Sequence, residues 1–227
     1  MATTTTEIRE AAQSVRTAQA VRTAEAAPAA EAARPAQSVR PALTGTARER
    51  LLAAASELFY TEGIHTVGID RVIERAGVAK ASLYNTFGSK DGLIRAYLDL
   101  RHARSEKRIN GVLAKLDTPR EKILGVFDAQ GIFFRTEDFR GCAFVNASAE
   151  SQPGGSVEQA SDEYRAWLRS LFTDLASQAG ASDPEALAQQ LVLLYDGSTM
   201  SARMDRNPEI FIQARAIAAV LVDAAIR

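Results

Sequence analysis

The chain has 227 residues, enough for one large helical domain or for a small head and a larger body. Hydrophobic residues make up 46% and charged residues 24%, an ordinary globular mix, and no apolar run is long enough to cross a bilayer. A formal net charge of −1 excludes a global basic footprint, so any nucleic-acid contact must come from locally placed donors.

Residues 1–43 are dominated by Ala, Thr, Arg, Gln and Pro and carry almost no large apolar side chains. A loose repeat runs through Gln13-Ser14-Val15-Arg16, Val21-Arg22-Thr23-Ala24 and Gln37-Ser38-Val39-Arg40. Such a segment buries too little surface to offset its ordering entropy, and a disordered tail is expected. Glu7, Glu10, Glu25 and Glu31 argue against a mitochondrial transit peptide, and no apolar centre marks a secretory signal. Five Arg against four Glu leave the tail nearly neutral, which disfavours a DNA-clamping arm.

From Thr46 the pattern is helical. Thr46-Ala47-Arg48-Glu49 fits a capping box, and Leu51, Leu52, Ala55, Leu58 and Phe59 share one face. Gly63 is expected to end this helix in the left-handed conformation. A second helix follows Thr66, with Ile69, Val72, Ile73 and Ala76 inward, and Gly77 breaks it. A short third helix, about Lys80 to Thr86, turns Leu83 and Phe87 inward. Ser89 caps a fourth with Leu93, Ile94, Tyr97 and Leu98 buried. In the remainder, Thr118-Pro119-Arg120-Glu121, Asp183-Pro184-Glu185 and Asn207-Pro208-Glu209 read as cap-proline helix starts. Tyr164, Trp167, Leu168, Leu171, Phe172 and Leu175 form a stripe of period 3.6, and Ser151 to Ser156 form a loop. The stretch Ala214 to Ile226 is apolar but interrupted by Arg215 and Asp223, as in a buried helix. No segment alternates as a strand does. The fold expected is all-α: a tail over 1–43, a three-helix head over 44–90, and a helical body over 91–227.

The chemistry is concentrated around Gly77-Val78. The helix after this turn has small or polar outward residues, Lys80, Ala81, Ser82 and Asn85, which let a backbone approach base edges while donating to bases or phosphates. Tyr84 offers a hydroxyl on a rigid ring, and Lys90 stands at the next helix N-terminus, where free amides also favour a phosphate. Charge is no support: Arg48 to Asp91 holds six basic and six acidic residues. Spacing alone therefore leaves open a helical head that contacts protein instead of DNA.

Residues 46–100 resemble the DNA-binding domain of the TetR (tetracycline repressor) family. The resemblance lies in Ala54-Ala55-Ser56-Glu57-Leu58-Phe59, Gly63, Thr66 before Ile69, Ile73-Glu74-Arg75-Ala76-Gly77-Val78, Ser82-Leu83-Tyr84-Asn85-Thr86-Phe87 and Ser89-Lys90-Asp91-Gly92-Leu93. It implies a homodimeric repressor whose third helices enter successive major grooves of a near-palindromic operator on double-stranded DNA. Thr66 would cap the second helix and touch phosphate; Lys80, Ala81, Ser82 and Asn85 would face DNA; Tyr84 and Lys90 would hold phosphates. Ala79 departs from the Ser or Thr that often caps the third helix, and Gly92 from a more usual charged residue, which is expected to loosen the fourth helix. Arg140-Gly141-Cys142-Ala143-Phe144-Val145-Asn146, followed by Glu150, resembles a motif of one branch of the family. The body is implied to enclose a small-molecule effector and to dimerise through its last two long helices.

Phe127, Phe133, Phe134, Phe144, Trp167 and Tyr195 are candidates to line that pocket, with Gln130, Asn146, Glu150 and Asp196 as its polar groups. The competing reading for each is core packing or surface pairing. Cys142, the single cysteine, excludes a disulfide framework and a cysteine zinc site and suits a reducing cytoplasm. It is either a sensor or a small buried hydrophobe, and its apolar neighbours favour the latter. His65 and His102 lack metal-ligand spacing, and no nucleophile–base pair or phosphate-binding glycine loop appears. A cytoplasmic non-enzyme without cofactor or metal is expected.

Overall fold

A computed structural model describes residues 45–226, so the expected tail over 1–43 lies outside the described residues. The described residues form nine α-helices and no strand: α1 Ala47–Glu62, α2 Ile69–Ala76, α3 Lys80–Phe87, α4 Lys90–Leu113, α5 Pro119–Phe134, α6 Ala143–Glu150, α7 Ser156–Gln178, α8 Pro184–Met204 and α9 Ile210–Ala225.

Side-chain caps set four of the nine starts. The Thr46 side chain accepts from the Glu49 N–H at 3.2 Å, and the Glu49 carboxylate accepts from the Thr46 N–H at 2.8 Å, which satisfies orphan amides of α1 reciprocally. Thr118 and Glu121 repeat the box at α5, with Pro119 inside it. Ser89 accepts from the Gly92 N–H at 3.0 Å to start α4, and Asp183 from the Ala186 N–H at 3.0 Å to start α8. Asn207-Pro208-Glu209 differs from expectation. Asn207 Oδ1 accepts from the Glu209 N–H at 3.0 Å, forming a turn before α9, which begins only at Ile210 without a side-chain cap. Gly63 also differs: at φ 96 and ψ 152 it leaves α1 in an extended direction that is not left-handed helical.

Two principal clusters of buried side chains organise the helices. The first gathers Leu51, Ala55, Leu58 and Phe59 of α1, Val72 and Ala76 of α2, Leu83 of α3, and Leu93, Ile94, Tyr97 and Leu98 of α4. It also takes in Phe144 of α6 and Tyr164 of α7. The second joins Ile109 and Leu113 of α4 to Phe127 of α5, Leu168 and Phe172 of α7, Leu191 of α8, and Ala218 and Val222 of α9. Each large apolar side chain so buried stabilises the fold by about 1.5–3 kcal/mol before ordering costs. The long helix α4 thus belongs to both clusters, its first half to the first and its second half to the second.

Candidate nucleic-acid interface and effector cavity

The turn before α3 is built on Gly77, the left-handed C-cap of α2 at φ 63 and ψ 43, which glycine adopts without strain. Its N–H donates to the Glu74 carbonyl at 3.2 Å, and the following Val78 N–H to Ile73 at 3.3 Å. Arg50 of α1 donates to the Gly77 carbonyl at 3.2 Å and pins the turn. From this platform α3 buries Leu83 and half-buries Phe87. Ala81, Tyr84 and Asn85 are exposed, Tyr84 at 44%, and Ser82 is half-buried. Ala79 holds the N-cap of α3 with no side-chain bond, as its methyl requires, and the helix forms nonetheless.

Half of the cations from Arg48 to Lys90 are paired with nearby acids. Lys80 pairs with Asp70 at 2.9 Å, and that hydrogen bond raises its pKa; both side chains are exposed. Arg75 pairs with Glu57 at 2.8 Å and Arg71 with Glu62. Lys90 donates to the His65 carbonyl at 3.4 Å, and Arg48 lies over the Phe87 ring at 5.7 Å. These exposed pairs are screened by solvent and exchangeable. Thr66 is exposed but does not cap α2: the N-cap is Gly68, two residues on, and carries no side-chain bond. Gly92 is no mere loosening of α4. A Cβ there would lie 2.1 Å from the Phe87 carbonyl oxygen, so the α3–α4 junction requires the bare backbone.

In the body, a cavity of about 220 Å³ opens between α4, the end of α5 and the chain after it, α6, α7 and α8. Its walls are Arg101, Arg104, Ser105 and Arg108 of α4, Phe133, Thr136 and Asp138, Cys142, Ala143 and Phe144, and Tyr164, Tyr195 and Thr199. Phe144 stacks on Tyr164 at 4.2 Å with 6° between ring planes. Of the expected pocket residues, Phe144 and Tyr195 line this cavity, as does Phe133.

The others are placed elsewhere. Phe127 packs against Phe172 and Tyr195 in the body core, and Phe134 against Phe139 and Phe211. Trp167 lies beside His102 and Tyr164. Gln130 is fully buried and clamps α5 to α8, donating to the Tyr195 carbonyl at 2.7 Å and to Thr199 Oγ1 at 2.8 Å while accepting from Ser198 at 2.7 Å. Asn146 donates to the Arg140 carbonyl at 3.1 Å and borders a smaller recess of about 40 Å³ with Cys142 and Arg203. Asp196 pairs with Arg165 at 2.7 Å, and Glu150 accepts from the His65 N–H at 2.7 Å. The arginines of α4 are the wall residues that sequence reasoning missed. Their signal was the 101, 104, 108 spacing, which places all three on one helix face.

Burial pushes the Cys142 thiol up, with the Val145 and Phe144 amides opposing, which argues against a standing thiolate. Burial likewise raises the Tyr164 and Tyr195 phenols. Among the described residues, no group of His, Cys, Asp or Glu is placed to hold a metal. The last two helices present a different surface: Leu193, Met200 and Met204 of α8 and Ile217 and Val220 of α9 are exposed, Leu193 at 75%.

Residues 51–97 match the family model described as bacterial regulatory proteins, tetR family. A TetR-family transcriptional regulator from Streptomyces coelicolor superposes with a TM-score of 0.75 at 33% identity, covering 80% of this chain and 96% of that one. The transcriptional activator FasR of Mycolicibacterium smegmatis is 39% identical over 71 residues, a match that spans 31% of either chain. The transcriptional repressor NemR of Escherichia coli is 25% identical over 172 residues, 71% of this chain and 86% of that protein.

Proposed function

The chain belongs to the TetR family of bacterial transcriptional regulators, and from that premise we propose that it is a ligand-responsive repressor, a homodimer that binds a near-palindromic operator and leaves it when a small molecule fills the body cavity. It is a regulator and not an enzyme. The exposed face of α3 carries the reading. Ala81 and Ser82 are small enough for close approach to base edges, Asn85 is a bidentate donor and acceptor, and Tyr84 reaches toward a phosphate. Lys80 and Lys90 exchange their weak internal partners for phosphate oxygens, and Thr66, in the turn before α2, adds a hydroxyl. Two such helices, related by a two-fold axis, meet half-sites roughly 34–36 Å apart or a multiple of that.

The exposed apolar residues of α8 and α9 support the dimer, since a patch of that kind on a protein surface marks an interface. Repression is favoured over activation because the match to a named repressor extends over 86% of its length, whereas the match to a named activator is confined to 71 residues. Release works through α4, which is packed into both cores, so a body that changes shape around a ligand tilts the head. Coupling of this kind is typically about 1–3 kcal/mol. The site of action is the cytoplasm, where the operator is; no described helix is long and apolar enough to cross a membrane.

The test is binding of the purified protein to a labelled duplex from upstream of its own gene, titrated with salt. Salt-steep binding by a dimer is expected, and Tyr84→Ala should weaken it about tenfold or more through loss of one phosphate contact in each protomer. Equal, weak binding to any sequence, followed by failure to enrich any fragment in a genome-wide pull-down, would overturn the reading in favour of a protein-contacting head.

A further inference from the structure

The cavity's three arginines share a single acid among the described residues. Arg101, Arg104 and Arg108 all border it, and its only carboxylate is Asp138. Among the described residues, none of the three forms an ion pair, whereas Arg75, Arg120, Arg165 and Arg215 each do. Their contacts are to neutral groups. Arg101 donates to the Ser56 carbonyl at 3.1 Å, Arg104 to Ser56 Oγ at 3.4 Å and Arg108 to Ser105 Oγ at 3.3 Å. The Nε atoms of Arg101 and Arg108 are buried without any hydrogen-bond partner. Half-buried guanidinium groups without a counter-charge are unfavourable, and a chain that keeps Arg101 and Arg108 so placed, with the more exposed Arg104 between them, has left room for a further negative charge in the cavity. The opposite wall is aromatic, with Phe133 under Arg108 at 4.6 Å and the Phe144–Tyr164 stack beyond.

We infer that the cavity binds a small organic anion, a carboxylate on a flat or short apolar body, with the α4 arginines on its charge and the aromatic wall against its body. This deepens, and rests on, the ligand-responsive reading above. Arginine forks match carboxylate oxygens in pairs, and the aromatic rings supply the apolar contact. The cavity, at about 220 Å³, falls below the roughly 300–1,000 Å³ of drug-sized sites, so an acid of benzoate or medium-chain length fits it best. Arg101 and Arg104 also hold Ser56 of α1. An anion that draws Arg101 and Arg104 toward itself therefore takes hydrogen bonds away from the first helix of the head.

The experiment is calorimetric titration of the full chain with benzoate, 2-naphthoate, hexanoate and octanoate, each paired with its own primary amide. At least one acid should bind about tenfold or more tightly than its amide, the margin a charge-assisted pair supplies. Arg108→Gln should remove that preference while keeping the melting curve, and Arg169→Gln, exposed on α7 away from the cavity, should keep it. The inference is overturned if no acid outbinds its amide, or if the preference survives in Arg101→Gln, Arg104→Gln and Arg108→Gln alike. The same preparations are assayed on duplex DNA. Specific DNA binding with indifference to every acid sinks the anion site and leaves the regulator. Acid selection without binding to that duplex upholds the site and leaves the operator reading to the genome-wide pull-down.

Discussion

At the scale of single residues, two glycines and one alanine decide how α3 is held. Gly77 supplies the left-handed step that turns the chain between α2 and α3. Ala79 caps α3 without a side-chain bond, which leaves its first amides to solvent or to a phosphate. Gly92 is the most constrained, because a methyl at its Cα would meet the Phe87 carbonyl oxygen at 2.1 Å, and a backbone atom cannot rotate away as a side chain does. Gly92→Ala should therefore force the α3–α4 junction apart, at about 1–3 kcal/mol in stability. For a chain of this size that lowers the thermal midpoint by a few degrees, roughly 2–4 °C per kcal/mol. Operator affinity should fall by more than the stability loss explains, because the junction aims α3. An unchanged midpoint in a calorimetric scan would show that the junction relaxes freely.

At the scale of helices, what could be read from the sequence was whatever depends on near neighbours. The capping boxes at Thr46 and Thr118, the Ser89 cap and the apolar stripe from Tyr164 to Leu175 are all decided within four residues, and the structure places them as read. The cavity was not legible in this way. Gln130, Phe127 and Trp167 have the residue types of a ligand site, but the packing of α5 against α8 and of α7 against α4 commits them to structural contacts. Arg101, Arg104 and Arg108 have the types of a solvated helix face, and only the arrival of α6 and α7 turns that face into a wall. The expected Thr66 cap is missing for a smaller reason: α2 begins two residues later than its hydroxyl could cap. The capping boxes carry a consequence of their own. Hydrogen bonds from Thr118 hold Glu121 below the ordinary carboxylate value of 4.5, those from Thr46 do the same for Glu49, and Arg95 and Arg135 lower Glu163 and Glu209. A carboxylate whose folded pKa is depressed contributes in full above its unfolded value and loses that contribution as pH falls through the folded one. The thermal midpoint should therefore drop as pH falls below about 4.5. Combining Glu49→Gln with Glu121→Gln should make that acid slope shallower, since an amide keeps the acceptor oxygen and removes the titration. A slope equal to that of the unsubstituted chain would assign acid sensitivity to other groups.

At the scale of the whole molecule, the head is tied to the body by more than α4. The Tyr60 hydroxyl donates to the Gly141 carbonyl at 2.8 Å and accepts from the Arg140 N–H at 2.8 Å, while Glu150 of α6 holds the turn at His65. The segment from Arg140 to Glu150 thus touches the head on one side and the cavity on the other, through Cys142 and Phe144. On the proposed reading, one head of this nearly neutral chain would offer DNA a single α3 and a handful of cations, too few for a tight grip. Binding by two heads at once doubles the phosphate contacts, and the salt dependence scales with their number, at about −0.9 per contact in log–log slope. The apolar residues of α8 and α9 are what would couple the two heads. Leu193→Glu combined with Val220→Glu places like charges on both exposed surfaces, where neither native side chain supports the core. The double substitution should yield a folded monomer by sedimentation, with an unchanged helical signal. Its DNA binding should show about half the native salt slope and an operator affinity lower by orders of magnitude. A dimer that persists through both substitutions would move the interface off α8 and α9. A monomer that keeps native affinity and slope would mean that one α3 is sufficient, and the two-fold operator would have to be abandoned with it.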